Sequence, residues 1–447
     1  MEQSVYMAGT ELEAGHHVQA LRSRLAVSCL EPAELLRIAK PGDLVLFYSE
    51  HFDRFREACI ELQRRSVATL YLLDGILEWR NAWENRREEP ACPWTMRPVI
   101  SDVAACIGHS QARVLAGWGN FGRLEIVGVP RFEQQRIGYL NGEPKPRDED
   151  GRFRLLVMTA KCPGFTPSQV DTTKRSLRDL RDAIPKQLAD GRLVEVDWRL
   201  TAGLDTELRV TNRLNDLSGR ELAAILLDYD AVISTPSTAG LEAMLAGRPL
   251  AWLDYHGTPQ LTPAAWSIGH REEIPRVISE LAQPPASKLA WQNQLLRDHI
   301  YLAESATERL ARLVQRMLEQ AKAAIENGLP LSFSEALLSP PQAVENRFEH
   351  SMLYPAFKEF EERDLLVAQT EWAHARREVA HLQAELRQAR SELAEAHAIF
   401  EEIQKHPIAG PIVRLRQKLI EHWRNWRKEG DVVPAQAGAS EQGTPAP

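Results

Sequence analysis

The chain has 447 residues, of which 44% are hydrophobic and 26% are charged, and its formal net charge at pH 7 is −8. This length accommodates roughly two to three domains, and the acidic balance argues against a nucleic-acid-binding protein, whose surface would be basic. The five scattered cysteines form no CxxC or Cys/His metal spacing, and no run approaches the ~18 apolar residues of a membrane span.

Residues 25–130 alternate short apolar runs with amphipathic stretches, and we place a first α/β domain at residues 1–135. Its predicted strands are 25–29, 43–48, 68–73, 98–101 and 124–127, and its predicted helices are 32–39, 53–64 and 110–117. This alternation predicts βα units and a mostly parallel sheet, that is, a Rossmann-like domain. Residues 141–151, rich in charge, Pro and Gly, fall in a predicted interdomain linker over 136–152.

A second alternating series predicts another Rossmann-like domain at residues 153–330. Its predicted strands are 154–159, 192–197, 208–211, 231–235 and 249–254, and its predicted helices are 167–189, 218–228, 238–246, 271–282, 287–299 and 303–326. Because βα units cross over with a right hand, the sequence predicts two doubly wound domains that face each other.

A hinge segment is predicted at 331–360 and a coiled coil at 361–405. The two heptad rows are Leu365, Trp372, Val379, Leu386, Leu393 and Phe400, and Ala368, Ala375, Leu382, Ala389, Ala396 and Ile403. Apolar residues at this spacing predict a left-handed coiled coil that makes the protein a homo-oligomer. The alternative is one long amphipathic helix that folds back on the body.

A basic amphipathic helix is predicted at 406–430, followed by a disordered tail at 431–447 rich in Pro, Ala, Gly and Gln. Within 411–428, Ile412, Leu415, Leu419, Trp423 and Trp426 share one face, and basic residues flank them. This pattern suits an anionic inner-membrane surface, and a packing helix with a solvated basic face is the alternative. The N-terminus lacks a signal-peptide pattern, so we expect a cytoplasmic protein, peripheral at the inner membrane.

The segment 231–254, AVISTPSTAGLEAMLAGRPLAWLD, carries the most informative local chemistry. A buried strand ends there and a helix begins at small residues, so the first amides of the helix point at a place suited to phosphate. The candidate binding residues are Ser234, Thr235, Ser237, Thr238, Ala239, Gly240, Glu242 and Asp254. Caps and small residues also occur at strand–helix junctions that bind nothing.

The same segment resembles the donor-binding region of GT-B-fold glycosyltransferases of bacterial surface-polysaccharide biosynthesis, and the related region of UDP-N-acetylglucosamine 2-epimerases. The resemblance implies that Ser237 and Thr238 hold a diphosphate and that Glu242, directly before an alanine, binds the ribose. Thr159 and Lys161 match the loop on the other side of the donor. The turn reads Ser-Thr-Ala-Gly instead of Ser-Gly-Gly, and the first strand lacks a following Gly-rich loop.

Residues 71–81 (YLLDGILEWRN), 98–102 (PVISD) and 126–132 (IVGVPRF) resemble the acceptor domain and crossover of the same glycosyltransferases. The resemblance covers about residues 65–255 and implies a nucleotide-sugar donor and a surface-polysaccharide or lipid-linked glycan acceptor. The alternatives are a nucleotide-sugar 2-epimerase and a catalytically inactive GT-B-like scaffold that acts through its coiled coil.

Sugar transfer with inversion needs a base for the acceptor hydroxyl and positive groups for the leaving diphosphate. Asp74 and Glu78 are the candidate bases, with a simple turn and a first-turn helix acid as alternatives. Arg80 and Lys161 are weaker candidates for the diphosphate, and His109 and His256 are weaker candidates for the base.

Cofactor and metal motifs do not strengthen any other interpretation. The DxD-like triplet at 228–230 lies at a predicted turn, and the sequence has neither GxGxxG nor a P-loop. We therefore predict no metal and no cofactor, with the nucleotide-sugar as a substrate.

Overall fold

The computed structural model describes two compact units, Met1–His350 and Ser351–Pro447. The residues that it describes are 3–73, 75–84, 96, 98–120, 122–133, 151–214, 222–333, 336–338, 388–402, 405, 411–412, 415–416 and 418–420. The first unit contains two parallel sheets. The prediction of two parallel-sheet α/β domains is therefore confirmed.

The first sheet has six parallel strands in the order β2-β1-β3-β4-β5-β6. Its strands are Val5–Ala8 (β1), Val27–Leu30 (β2), Leu44–Phe47 (β3), Ala68–Leu72 (β4), Val103–Cys106 (β5) and Leu124–Ile126 (β6). The associated helices are Glu11–Val18 (α1), Pro32–Ile38 (α2), Asp53–Arg64 (α3), Trp79–Glu84 (α4) and His109–Gly117 (α5), with a 3₁₀ turn at Leu21–Ser23.

The second sheet has five parallel strands in the order β11-β10-β9-β7-β8. Its strands are Arg152–Met158 (β7), Leu193–Arg199 (β8), Ala231–Ser234 (β9), Leu250–Leu253 (β10) and Trp266–Ile268 (β11). Its helices are Pro167–Ala183 (α6), Leu204–Glu207 (α7), Leu222–Leu226 (α8), Thr238–Leu245 (α9), Ile274–Ala282 (α10) and Ala286–His299 (α11), with a 3₁₀ turn at Arg271–Glu273. The strand order reverses between β7 and β9, and ligands of open α/β sheets bind at such a point.

Burial on both faces explains the continuous apolar strands. Every residue of β3, β4 and β5 is buried, because helices cover the two sides of a parallel sheet. Helix α3 shows the matching pattern, with Phe55, Ala58, Cys59 and Leu62 buried at helical spacing and charged residues facing outward.

The predicted strand at 98–101 is wrong, and the fifth strand begins at Val103 instead. Side chains take up the backbone donors of the predicted stretch: Val99 N–H donates to Asn120 Oδ1 at 2.7 Å and Ile100 N–H to Glu50 Oε2 at 2.8 Å. Its amides are therefore not available to a strand ladder. The predicted strand at 208–211 is also absent, since these residues form the turn after α7, whereas β1 and β11 were not predicted.

Helix α12 (Ala306–Glu326) packs on the first sheet, although the sequence places it in the second domain. Leu310, Leu313, Val314 and Met317 lie in one core cluster with residues of β1, β3 and β4. Phe333, Leu337 and Leu338 join the same cluster. The chain thus returns to the first domain after α11, and the predicted boundary at residue 330 does not separate the two cores.

Helices of the two domains also meet directly. Ser110 Oγ, in α5, lies 2.9 Å from His299 Nδ1 at the end of α11, and Arg113 forms an ion pair with Asp298. A side chain at Gly108 would place its Cβ 2.3 Å from the His299 carbonyl oxygen, so this contact needs glycine. The contact between α5 and α11 holds the two sheets in one unit.

The second unit is described mainly as a helix over residues 388–402. Leu393 in this helix is 67% exposed. Residues 361–387, which carry most of the predicted heptads, lie outside the described residues, and so does the tail at 431–447. The coiled coil stays a prediction. Among the described residues, no helix is both long and apolar enough to cross a membrane.

Candidate functional site

The carboxyl ends of β7 and β9 are joined by hydroxyl groups. Thr235 Oγ1 accepts a hydrogen bond from Ala160 N–H at 2.8 Å, and Thr159 Oγ1 accepts one from Thr201 N–H at 2.9 Å. The Ser234 hydroxyl donates to the Thr235 carbonyl oxygen at 2.8 Å. All three side chains are buried. They fix the loops that surround the site and are already engaged, while Lys161 lies exposed on the loop after β7.

Helix α9 begins directly after these loops. Ser237 precedes it in an extended conformation and makes no side-chain cap, so the first amides of the helix are not satisfied by that hydroxyl. The Ser237 Oγ atom is itself buried without a hydrogen-bond partner in the described part of the chain. Buried polar atoms are almost always paired. A helix N-terminus beside an unpaired hydroxyl is an arrangement that suits an anionic ligand.

The first domain reaches this helix through its segment 75–80. Ile76 N–H donates to Thr238 Oγ1 at 3.2 Å, and a Cβ on Gly75 would lie 2.7 Å from the same oxygen. Gln111 holds the segment from behind: its amide donates to the Gly75 carbonyl at 2.8 Å and accepts from Ile107 N–H at 2.8 Å. The N-terminus of α9 therefore faces the cleft between the domains, and backbone of the first domain covers it.

Opposite α9, side chains from both domains form a group that we call the cleft cluster. Its members are Glu78, Arg80, Thr173, Asp254 and His256. Arg80 is 3% exposed, forms an ion pair with Glu78, and its Nη1 lies 2.8 Å from His256 Nε2. Thr173 Oγ1 lies 3.2 Å from the same ring nitrogen, and Asp254 Oδ1 accepts from His256 N–H at 3.1 Å.

Burial dominates the electrostatics of the cleft cluster. It raises the pKa values of Glu78 and Asp254 above the usual carboxyl range, and the Arg80 charge only partly opposes this. Burial lowers the pKa of His256 to about 4, with Arg80 and Arg175 acting in the same direction. His256 is therefore neutral near pH 7, and the two carboxyls hold protons more tightly than exposed acids do.

The cleft is closed around these side chains. A cavity of about 20 Å³ lies among them, lined by residues that include Glu78, Arg80, Pro236, Trp252 and Asp254. That volume corresponds to about one water molecule. This cavity is therefore too small for any ligand larger than a water molecule.

Three of the predicted donor residues, Gly240, Ala239 and Glu242, contact other parts of the protein. Gly240 faces the core, where an added Cβ would lie 2.0 Å from the Trp252 ring, so this glycine makes room for an indole and not for a ligand. Ala239 packs at the edge of the same core. Glu242 is buried, and its Oε1 lies 3.4 Å from Nη1 of Arg131. Arg131 belongs to the segment that follows β6.

Glu78 and Asp254 line the same cavity in the structure. Asp74 lies outside the described residues, so its place as a candidate base is untested. Arg80 and His256, weak candidates in the sequence, lie at the centre. Sequence reasoning missed Thr173 and Gln111, and no local signal marks either one.

The remaining candidates lie elsewhere. His109 begins α5 and packs against the Tyr301 ring. In the 228–230 triplet, Asp230 Oδ2 accepts from Arg154 N–H at 2.8 Å, which makes it a turn residue. Within the described residues, no three His, Cys, Asp or Glu side chains are grouped to hold a metal ion. The expectation of a metal-free site stays a prediction.

Comparisons with known proteins give similarity in structure alone. No protein family and no curated protein matches the sequence. The chain is similar to the wall teichoic acid polymerase TagF, with 10% identity over 72% of this chain and 90% of that one, at a TM-score of 0.45. It is similar to S. aureus MnaA in its co-structure with UDP, with 10% identity over 71% and 97%, at 0.47. The calicheamicin glycosyltransferase CalG4 matches with 14% identity over 74% and 100%, at 0.42.

These TM-scores lie below 0.5, so the description of the fold rests on the strand order given above.

Proposed function

We propose that this chain is a metal-independent glycosyltransferase of the GT-B type. It moves a sugar from a nucleotide-sugar donor onto a surface-polysaccharide or lipid-linked glycan acceptor. The observation that carries the proposal is that the buried Arg80 guanidinium lines one cavity together with Pro236, directly before Ser237. The Ser237 hydroxyl, at the α9 N-terminus, has no hydrogen-bond partner in the described part of the chain. The first domain thus contributes a positive group to this cavity, and the second domain contributes hydrogen-bond donors next to it.

The chemistry follows from these groups. In a direct displacement, a carboxylate removes the acceptor hydroxyl proton, the oxygen bonds to the anomeric carbon, and the bond from that carbon to the diphosphate oxygen breaks. The electron pair leaves with the nucleoside diphosphate, where Ser237, the first α9 amides and Arg80 stabilise the charge. Glu78 is the described candidate base, because its raised pKa makes it a stronger base than an exposed glutamate.

Donor entry in this proposal requires opening of the cleft. The segment 75–80 leaves Thr238, the diphosphate takes its place at the α9 N-terminus, and Glu242 lies one turn further along the helix for the ribose. Arg131, which contacts Glu242 at 3.4 Å, remains beside the sugar of the nucleotide.

Calorimetry with uridine, cytidine and guanosine diphosphates tests the proposal. We expect one of them to bind wild-type protein and Ser237→Ala to weaken that affinity about tenfold or more, since a hydrogen bond to a charged group contributes ~1.5–3 kcal/mol. Ser168→Ala, at an exposed serine of α6, is the matched control. Absence of binding by all three diphosphates refutes the proposal and supports the inactive scaffold.

An epimerase is the second candidate, because two buried carboxyls, Glu78 and Asp254, lie in one closed cleft. Moving a proton off and back onto a sugar carbon needs such acid and base groups and no acceptor. Incubation with the nucleotide-sugar alone separates the two functions: an altered sugar on the same nucleotide supports the epimerase, and a product that forms only with a glycan acceptor supports the transferase.

We also propose that residues 361–405 form a coiled coil between copies and that 406–430 contacts an anionic membrane surface. The 67% exposure of Leu393 supports the first, since a heptad position of this kind is buried by a partner helix. Ile412, Leu415 and Leu419 are each more than 60% exposed, and basic residues lie between them in the sequence, which supports the second. Lipid-linked acceptors lie at such a surface.

A further inference from the structure

The guanidinium of Arg80 is held by two unlike groups. Its Nη2 pairs with the Glu78 carboxylate, and its Nη1 contacts His256 Nε2 at 2.8 Å. Arg80 belongs to the first domain and His256 to the second, so this contact spans the cleft. A buried arginine is usually held by carboxylates or carbonyl oxygens. An imidazole as the second partner is the feature to be explained.

The protonation of His256 follows from its neighbours. A guanidinium only donates hydrogen bonds, so Nε2 must be the acceptor and the ring proton must lie on Nδ1. The Thr173 hydroxyl donates to the Pro163 carbonyl at 2.7 Å, which leaves the Nε2 lone pair to Arg80. An imidazolium would point its Nε2 proton at a cation. The low pKa of His256, about 4, agrees with this geometry.

The charges around His256 favour its neutral ring, and this affects how Arg80 can bind an anion. Arg80 and Arg175 disfavour a charged His256, while Asp254 accepts a hydrogen bond from the backbone amide of His256. Glu78 cancels charge on one side of the guanidinium, and the imidazole cancels none on the other. An arriving anion can therefore replace His256 at Nη1 without displacing a negative charge.

We propose that His256 is a positioning residue that holds Arg80 in the cleft through an uncharged hydrogen bond and yields its Nη1 donor to the diphosphate of the nucleotide. We call the replacement of His256 by the diphosphate at Nη1 the exchange. The exchange rests on the proposed function, whereas the pairing of His256 with Arg80 does not. No covalent step is involved: one acceptor replaces another at the same N–H group.

The pairing is tested first without any ligand, by ¹⁵N NMR of the imidazole rings in the full chain. We expect His256, assigned by the signals lost in His256→Gln, to be protonated at Nδ1 at pH 7 and to titrate near pH 4. Removing a positive neighbour favours the imidazolium, so Arg80→Met shifts this titration toward the ordinary value of about 6.5. The exposed His270 is the internal control. A proton on Nε2 at pH 7, or a titration that Arg80→Met leaves in place, overturns the pairing.

The exchange is tested by calorimetry with inorganic pyrophosphate and the nucleoside diphosphate that binds wild-type protein. His256→Gln keeps a neutral acceptor and should leave both affinities within about threefold. His256→Glu places a carboxylate against Nη1 and should weaken both by more than tenfold, since the anion then competes with a fixed charge. Melting temperatures of the two variants verify that both are folded.

Equal losses in the two variants, or no loss in His256→Glu, overturn the exchange. If wild-type protein binds neither pyrophosphate nor any nucleoside diphosphate, the proposed function and the exchange both fail, while the NMR result still decides the pairing. If the anions bind and the NMR result is negative, the proposed function stands and His256 has another role.

Discussion

At the scale of single residues, hydroxyl side chains in one short segment have different hydrogen-bond partners. Between 234 and 238, the hydroxyls of Ser234 and Thr235 are used within the loops, that of Thr238 accepts from the first domain, and that of Ser237 has no partner in the described part of the chain. Among these hydroxyls, that of Ser237 is the one that neither donates nor accepts a hydrogen bond in the described part of the chain, so a ligand could use both of its capacities.

Gly240 gives a prediction at this scale. Alanine would normally stabilise a helix by ~1 kcal/mol relative to glycine, but here its Cβ would lie 2.0 Å from a rigid indole ring in the core. We expect Gly240→Ala to lower the free energy of unfolding by ~1–3 kcal/mol, as overpacked cores do. Urea denaturation measures this change.

The double variant Gly240→Ala/Trp252→Phe is the control, because the smaller ring leaves room for the methyl group. Its cost should be less than the sum of the two single costs, as expected for residues in contact. Additive costs would show that the indole is not what excludes a side chain at position 240.

At the scale of elements, α5 links the two parts of the site. It begins beside α11 of the second domain and carries Gln111, which is buried and holds the segment 75–80 through the Gly75 carbonyl. The orientation of Ile76, Glu78 and Arg80 toward the cleft thus depends on a helix about thirty residues further along the chain.

We predict that Gln111→Glu loosens this segment selectively. The carboxylate still accepts from Ile107 N–H but no longer donates to the Gly75 carbonyl, so hydrogen exchange should accelerate in peptides that cover 75–82 and not in β5. Gln111→Leu removes both bonds and should accelerate exchange in both places. Mass spectrometry of exchanged peptides measures this, and unchanged exchange over 75–82 in Gln111→Glu would contradict it.

At the scale of the whole molecule, the chain crosses between its two α/β domains and then returns. Helix α12 completes the core of the first sheet, and the cluster that contains Ile107, Phe132, Leu241 and Ile300 draws residues from both domains. The two sheets are thus parts of one compact unit, and residues beyond 350 form another. Removal of the second unit should therefore leave the first one folded.

Two truncations separate the proposed roles of the second unit. Deletion of 361–447 should give a monomer by light scattering, because it removes every predicted heptad. Deletion of 406–447 should keep the oligomer and abolish co-sedimentation with vesicles of phosphatidylglycerol, without affecting the weak binding to phosphatidylcholine vesicles. An unchanged mass in the first variant, or unchanged co-sedimentation in the second, would refute the corresponding proposal.

The sequence by itself determined the features that depend on near neighbours. Alternation of apolar runs and amphipathic stretches indicates two parallel sheets, and the small residues after 234 place a helix start at 238, because periodicity and turns are set within a few residues. The stretch 98–101 has the composition of a strand, yet Asn120 and Glu50 bind its amides, and no local pattern reveals partners so far along the chain.

Only the tertiary structure decided which side chains meet. Arg80 and His256 are 176 residues apart in sequence. The residues that flank each of them in the sequence do not indicate that it is buried or that the two side chains meet. Gly240 has the surroundings of a ligand-binding turn, but the indole packed against it gives that glycine a different role. The return of α12 to the first sheet is equally invisible locally, because an amphipathic helix specifies that it must cover an apolar surface and not which one.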